Sequence, residues 1–301
     1  MAGSRTPLPP SVLAIFGPTA SGKTAVAEEL VRRIPAEIVS ADSMQVYRGL
    51  PILTNHGPGR LVGIWEPDRQ RTVGEYAPLA HAAIDEILAA GRTPLVVGGS
   101  GLWFRAALVE LGLPAEVGDG RARWERRYDE LGADAAHRLL AGVDPGAAEV
   151  VHANDRRRVV RALELAEAGS SLRPSEGRLW SDETRHPTTI VGLEVPPGVL
   201  AARIEERTRR MFEAGVEEEA RAAGEVAPKV IGLEAVRTLP RAEAEAELNV
   251  ATRQLAAYQR KWMRRIPGLV SVAADRPPSE VADAVLEVAS AGQRVPADRA
   301  G

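Results

Sequence analysis

Short runs of consecutive apolar residues alternate with stretches of helical periodicity through the first third of the chain. Val12–Phe16 is an unbroken apolar run of the length a strand buried on both faces takes. Ala25–Ile34 is built of helix formers, and Glu37–Ser40 reads as a second strand. A loop rich in Gly and Pro follows from Gly49 to Asp68. Over Val73–Ala90 the apolar positions Tyr76, Leu79, Ala80, Ala83, Ile84, Ile87 and Leu88 recur at helical spacing, and Gly91 marks the end. Thr93–Val97 is a third apolar strand running into Gly98-Gly99-Ser100-Gly101, with a helix over Leu102–Leu111. Strands alternating with helices predict a parallel sheet covered on both faces.

The texture changes from about Pro114 to Arg185, where the pattern is helical throughout: Arg121–Leu131, Ala133–Ala141, Pro145–Val151 and Asp155–Ala168. Thr188–Val195 reads as a strand that returns to the sheet. Helices follow over Val199–Gly215, Val216–Ala223 and Glu243–Arg265. The expected fold class is α/β: a P-loop NTPase-like core with a parallel sheet over 11–113 and 186–276, its C-terminal part helical. A helical domain is inserted over 114–185, and 277–301 forms a last helix and a flexible tail.

Composition narrows the class. A chain of 301 residues allows one large domain, or one domain with an insertion. It has no cysteine, which excludes disulfides and thiolate metal sites. No apolar run approaches the ~18–20 residues that span a bilayer, and Met1–Pro10 lacks the apolar centre of a secretory signal. The expectation is a cytoplasmic protein with no membrane partner. A net charge of −3 argues against a general nucleic-acid coat protein. Among 38 basic residues only Lys23, Lys229 and Lys261 are lysines. Lys23 then stands out, because a planar guanidinium does not replace a compact ammonium in a tight phosphate loop.

That lysine lies in Gly17-Pro18-Thr19-Ala20-Ser21-Gly22-Lys23-Thr24, the G-x-x-x-x-G-K-[ST] pattern between a strand and a helix. Loops of this kind wrap phosphate oxygens with backbone amides. Lys23 adds a point charge, Thr24 can place a hydroxyl on Mg²⁺, and the following helix start favours an anion. Ligands of open parallel sheets gather at the carboxyl ends of the strands. Three such ends are visible: the phosphate loop, Asp42-Ser43, and Gly98–Gly101. For Asp42 the residues leave three roles open: general base, magnesium partner, or turn former. Ser100 either bonds a phosphate or an incoming nucleophile, or simply braces its turn. The strand Thr93–Val97 ends in glycines where many NTPases carry an acid, which weakens an ATP-hydrolysing reading. Three basic clusters accompany the site: Arg121, Arg123, Arg126 and Arg127; Arg156, Arg157, Arg158 and Arg161; and Thr252–Arg265. The last holds Arg253, Arg260, Lys261, Arg264 and Arg265 interleaved with Tyr258 and Trp262. Such mixtures suit RNA phosphates and unstacked bases, although any single charge run is commonly a solvated face.

Together the motifs GPTASGKT (Gly17–Thr24), SADSMQVYRGL (Ser40–Leu50), VVGGSGLWFRAAL (Val96–Leu108) and VDPGAAEVVHANDRRRVVRALEL (Val143–Leu165) resemble the tRNA dimethylallyltransferases, or isopentenyl-tRNA transferases. Arg207-x-x-x-Met211-x-x-x-Gly215, Ile231-Gly232-x-Glu234 and TRQLAAYQRKWMRR (Thr252–Arg265) continue the match in family order. The resemblance implies transfer of a dimethylallyl group from dimethylallyl diphosphate to the exocyclic amine of an adenosine beside the tRNA anticodon. It further implies that Gly17–Thr24 cradles the leaving diphosphate with Mg²⁺ on Thr24, and that Asp42, with Lys23 and Ser100, serves catalysis. Ser43, Met44, Gln45 and Ser100 would then meet the adenosine, and Arg123, Arg157, Arg158 and Arg161 the anticodon stem-loop. The chain departs from the family where Asp-Ile-Gly-Thr-Ala-Lys and a Pro-His-His segment are usual: Pro51-Ile52-Leu53-Thr54-Asn55 leads through a shortened loop to Gly63-Ile64-Trp65-Glu66-Pro67. Related alternatives are transfer to a free adenine nucleotide, a P-loop small-molecule kinase, and an RNA-binding relative without activity.

Overall fold

The computed structural model describes residues 11–111, 120–172, 178–226 and 229–292. The tail expected at the C-terminus falls mainly at 293–301, outside the described residues. The chain divides into two compact units, one of Met1–Arg71, Tyr76–Glu110 and Leu179–Gly301, the other of Thr72–Glu75 and Leu111–Arg178.

The first unit is organised by a five-stranded sheet. The strands are β1 (Val12–Phe16), β2 (Ala36–Ser40), β3 (Thr93–Gly98), β4 (Thr188–Glu194) and β5 (Leu269–Ala273), in the order β2-β3-β1-β4-β5. Every pairing is parallel. β1 is central and fully buried, which is why its sequence is apolar without alternation. Helices α1 (Lys23–Arg33) and α12 (Pro278–Gly292) contribute Val26, Leu30, Val281 and Val285 to a core over one face, where they meet Leu13, Ile15, Leu95, Val97 and Val191. Truncating a side chain as buried as Leu30 to alanine costs about 2–5 kcal/mol. Helix α2 (Val73–Ala89) buries Tyr76, Ala80, Ala83, Ile84 and Ile87, and α3 (Gly101–Leu108) follows β3 directly.

A second cluster draws on α8 (Pro197–Glu213), α9 (Val216–Ala222), α10 (Leu233–Thr238) and α11 (Arg241–Met263). Met211, Phe212, Val216, Leu233, Val236 and Leu248 pack there with Leu50 and Leu53, so the shortened loop is anchored on these helices. Neither α10 nor β5 stands out in the periodicity of the chain. α10 is only six residues long. β5 is a five-residue edge strand with an exposed Val270, too short and too interrupted by Ser271 to read from periodicity.

The second unit holds α4 (Gly120–Leu131), α5 (Ala133–Val143), α6 (Pro145–Val150) and α7 (Arg156–Glu167). Tyr128, Ala136, Leu140, Ala147, Val151, Val159, Val160 and Leu163 form its own core. Asp144 caps α6 by accepting from Ala147 N–H at 2.9 Å, and Asp155 caps α7 by accepting from Arg158 N–H at 3.2 Å.

Candidate active site

β1 ends at Phe16, and the loop after it needs special backbone. Ala20 has φ 61° and Gly22 φ 90°, the left-handed region, with Gly22 capping α1. A Cβ on Gly17 would stand 2.7 Å from Ser21 Oγ. Lys23 Nζ folds back to donate to the carbonyls of Gly17 (2.9 Å) and Pro18 (2.8 Å). Solvent still touches part of this side chain, but the packed atoms around the ammonium dominate its titration. Desolvation lowers Lys23 to about 8, opposed by the negative charge of Asp42 and aided by the positive charge of Arg207. Ser21 Oγ is buried without a hydrogen-bond partner among the described residues. Such an orphan group is costly unless a ligand satisfies it.

Thr19 is held from two distant helices. Its N–H donates to Gln259 Oε1 of α11 (2.7 Å), and its hydroxyl accepts from Arg207 Nη1 of α8 (2.6 Å). Desolvation pushes the Arg207 guanidinium down, with Asp42 acting in the opposite direction. The sequence names Arg207 as a motif residue and carries Gln259 inside another motif, but gives neither a role at the loop. A linear motif does not say which of its polar residues turns toward the loop.

The ends of β1, β2 and β3 are pressed together. A Cβ on Gly98 would meet the Ala41 carbonyl at 2.3 Å, and one on Gly99 would meet Gln259 Nε2 at 2.5 Å and the Gly17 carbonyl at 2.9 Å. Only glycine permits that approach. Asp42 Oδ1 accepts from Met44 N–H at 2.9 Å, a local Asx-type turn. Ser43 N–H donates to Ser100 Oγ (3.2 Å), and the two hydroxyls lie 3.0 Å apart, so the second and third strand ends are bonded to each other. Below them the Tyr76 hydroxyl donates to the Ser40 carbonyl at 2.8 Å, with its ring against Trp103. Burial drives the Tyr76 hydroxyl far up, with Asp42 adding to the rise. Asp42 therefore sits within electrostatic reach of Lys23, Arg207 and Tyr76 at once. The three strand ends form one site.

The amide of Gln45 is engaged by the protein itself: Oε1 accepts from Ser40 Oγ (2.9 Å) and Nε2 donates to the Asn55 carbonyl (2.6 Å). Its position makes it a brace between the Asp42 turn and the shortened loop. Glu219 pins that loop by accepting from the N–H groups of Ile52 and Leu53, both at 2.7 Å. A Cβ on Gly57 would stand 3.0 Å from Thr24 Cγ2, so the loop reaches the start of α1.

The arginines of the helical unit divide into two groups. Arg123 is paired with Glu167 and lies over Trp124. Arg161 pairs with the buried Glu164 at 2.9 Å, and Arg156 with Asp129 at 2.6 Å. The exposed side chains of Arg157 and Arg158 have no hydrogen-bond or ion-pair partner among the described residues. The first unit has a comparable group at the end of α11, where Arg260, Lys261 and Arg264 are likewise without acidic partners among the described residues and Tyr258 is 57% exposed.

This arrangement has close parallels. Residues 45–266 match the model of the IPP transferase family, and residues 10–60 match that of isopentenyl transferase. The tRNA dimethylallyltransferase of Anaeromyxobacter sp. (strain Fw109-5) is 40% identical over 299 residues, covering 92% of this chain and 98% of that protein. That of Thermobifida fusca is 40% identical over 283 residues, covering 85% and 88%. Among solved structures, the full-length tRNA isopentenylpyrophosphate transferase of Bacillus halodurans superposes with a TM-score of 0.64 at 29% identity, covering 94% of this chain and 98% of that one. A eukaryotic dimethylallyltransferase acting on tRNA shares the fold, with a TM-score of 0.72 at 24% identity, covering 88% and 74%. With its phosphate loop, Asp42 turn and α11 signature in one site, and relatives alike over nearly their whole length, the chain belongs to the IPP transferase family.

Proposed function

We propose that this protein is an enzyme that transfers a dimethylallyl group from dimethylallyl diphosphate to the N6 amine of an adenosine next to a tRNA anticodon, releasing diphosphate. One observation carries the reading: the Gly17–Thr24 loop and the Asp42 turn meet over one pair of glycines, where a Cβ on Gly98 would stand 2.3 Å from the Ala41 carbonyl and one on Gly99 2.9 Å from the Gly17 carbonyl.

Gly17, Pro18, Thr19, Ala20, Ser21, Gly22, Lys23 and Thr24 cradle the diphosphate. The orphaned Ser21 hydroxyl gains a phosphate partner there, and Lys23 exchanges its backbone carbonyls for phosphate oxygens. Arg207 adds a second cation through the same loop. In the reaction the N6 lone pair forms a bond to C1 of the prenyl group as the C1–O bond breaks. The electron pair leaves with the diphosphate, and Asp42 accepts the N6 proton. Fixed positive groups aimed at the developing charge lower the barrier most. Holding a weakly nucleophilic amine in line supplies much of the rest. The Ser43–Ser100 bond sets the acceptor turn, where Ser43, Met44 and Ser100 face the base and Gln45 braces them.

The residues suit Mg²⁺. The Thr24 hydroxyl, a hard oxygen donor in the first turn of α1, has no hydrogen-bond partner among the described residues. Thr24 would hold the ion, which when bound neutralises charge on the leaving diphosphate. In the helical unit Arg157 and Arg158 are the foremost contacts for the RNA backbone, and Arg123 and Arg161 join them only by exchanging their carboxylates for phosphates. No helix among the described residues is long and apolar enough to cross a membrane, and a tRNA acceptor places the activity in the cytoplasm.

Incubation with dimethylallyl diphosphate, Mg²⁺ and unmodified tRNA, followed by nucleoside mass analysis, tests the reading. N6-isopentenyladenosine is expected. Its absence from tRNA together with prenylated free AMP would redirect the reading to a nucleotide acceptor.

A further inference from the structure

One aromatic group lies outside the chemistry described above. Trp262 of α11 packs against Gly101, where an added Cβ would come within 2.1 Å of the indole. Gly101 follows Ser100, so the indole stands one residue from the acceptor turn. Trp180 packs on Trp262 with ring centroids 5.0 Å apart and 31° between planes, and the Arg265 guanidinium lies 3.9 Å from the centre of the Trp180 ring. All three side chains keep solvent contact.

The chain spends a buried charge to place Trp180. Arg105 of α3 is 0% exposed. Its Nε donates to the Leu179 carbonyl at 3.0 Å and its Nη2 to the Ser181 carbonyl at 2.8 Å, the residues on either side of Trp180. Burying a guanidinium is expensive unless it is well bonded. Here its hydrogen bonds fix the backbone that carries one partly exposed indole. An indole pair with a guanidinium, set beside the unpaired Arg260, Lys261 and Arg264, is the combination that holds unstacked bases against a polyanion.

We propose that Trp180, with Trp262 and Arg265, is a stacking platform for a nucleobase that flanks the accepting adenosine in the RNA loop, and that Arg105 is the positioning residue that presents it. The inference rests on the RNA-acceptor reading above. An adenosine drawn out of its loop toward Asp42 loses its stacking neighbours, and its neighbouring base gains a new one here.

The test uses Trp180→Leu and Trp180→Phe in the full chain, with a 17-nucleotide anticodon stem-loop as acceptor. Leucine keeps the apolar bulk and removes the π face; phenylalanine keeps a ring. Stacking is worth ~1–3 kcal/mol per base. The expected result is a KM for the stem-loop raised about 5- to 150-fold in W180L and by much less in W180F, with the KM for dimethylallyl diphosphate and the Tm unchanged. An abasic nucleotide on one side of the target should weaken wild type by the same factor and W180L no further. Equal stem-loop KM in all three proteins overturns the platform, as does an abasic penalty that persists undiminished in W180L. A lowered Tm with both KM values moved assigns Trp180 a purely structural role and also overturns it. Prenylation of the stem-loop by wild type, measured alongside, separates these outcomes from failure of the RNA-acceptor reading.

Discussion

The phosphate loop and the helical unit both concentrate positive charge, and they treat it in opposite ways. Around the loop there are few cations, and they are enclosed: Lys23 rests on backbone carbonyls and Arg207 on a threonine hydroxyl, with both partners neutral. In the helical unit the cations are many, and several are already neutralised, as in Arg123–Glu167, Arg156–Asp129 and Arg161–Glu164. A desolvated cation whose hydrogen-bond partners are all neutral is costly until an anion arrives, so it points to a binding site. An exposed ion pair contributes about 0–1 kcal/mol and marks nothing by itself. Counting arginines therefore overstates the helical unit and understates the loop.

The contrast can be broken in graded steps. Asp42→Asn keeps the turn to Met44 and removes the proton acceptor; kcat should fall ~10²–10⁴-fold with RNA affinity unchanged. A retained kcat would leave Asp42 as a turn former. Arg207→Ala and Lys23→Ala should each cost ~10²–10³-fold in kcat/KM by removing charge aimed at the leaving group. Direct titration with inorganic diphosphate should show weakened binding in both, and full affinity in either would remove that residue from the cradle. Gln259→Ala loosens the Thr19 amide and should cost about 1 kcal/mol, or roughly fivefold in diphosphate affinity. Arg157→Ala with Arg158→Ala should flatten the slope of log affinity for tRNA against log salt by about 1.5. Arg161→Ala should instead lower Tm, because it strands the buried Glu164, with the salt slope nearly unmoved. If the salt slope answers to Arg161 and not to Arg157 and Arg158, the division into paired and free arginines fails.

Much of this was legible in the residues. β1 matches the expected Val12–Phe16, because a strand buried on both faces writes itself as an apolar run. The helical stretch from Arg121 to Glu167 follows its periodicity closely. The edge strand β5 was not legible, since half of it faces solvent and its pairing partner β4 lies about 80 residues away in sequence. At the site, the glycines and Asp42 announce themselves by type. Arg207 and Gln259 do not, because their importance comes from reaching Thr19 across 188 and 240 residues of chain. Gln45 shows what a motif alone leaves out. The resemblance implies a contact with the base, and without RNA its amide bonds Ser40 and Asn55.

The central claim is that one site joins an anion cradle to a proton-accepting carboxylate, and the most direct measurement is single-turnover prenyl transfer to unmodified tRNA by wild type and D42N, each with diphosphate affinity measured in parallel. The account predicts that D42N binds diphosphate as well as wild type and forms isopentenyladenosine at least a hundredfold more slowly. Equal transfer rates in the two proteins, or a loss of diphosphate binding that accounts for the whole defect, would contradict it.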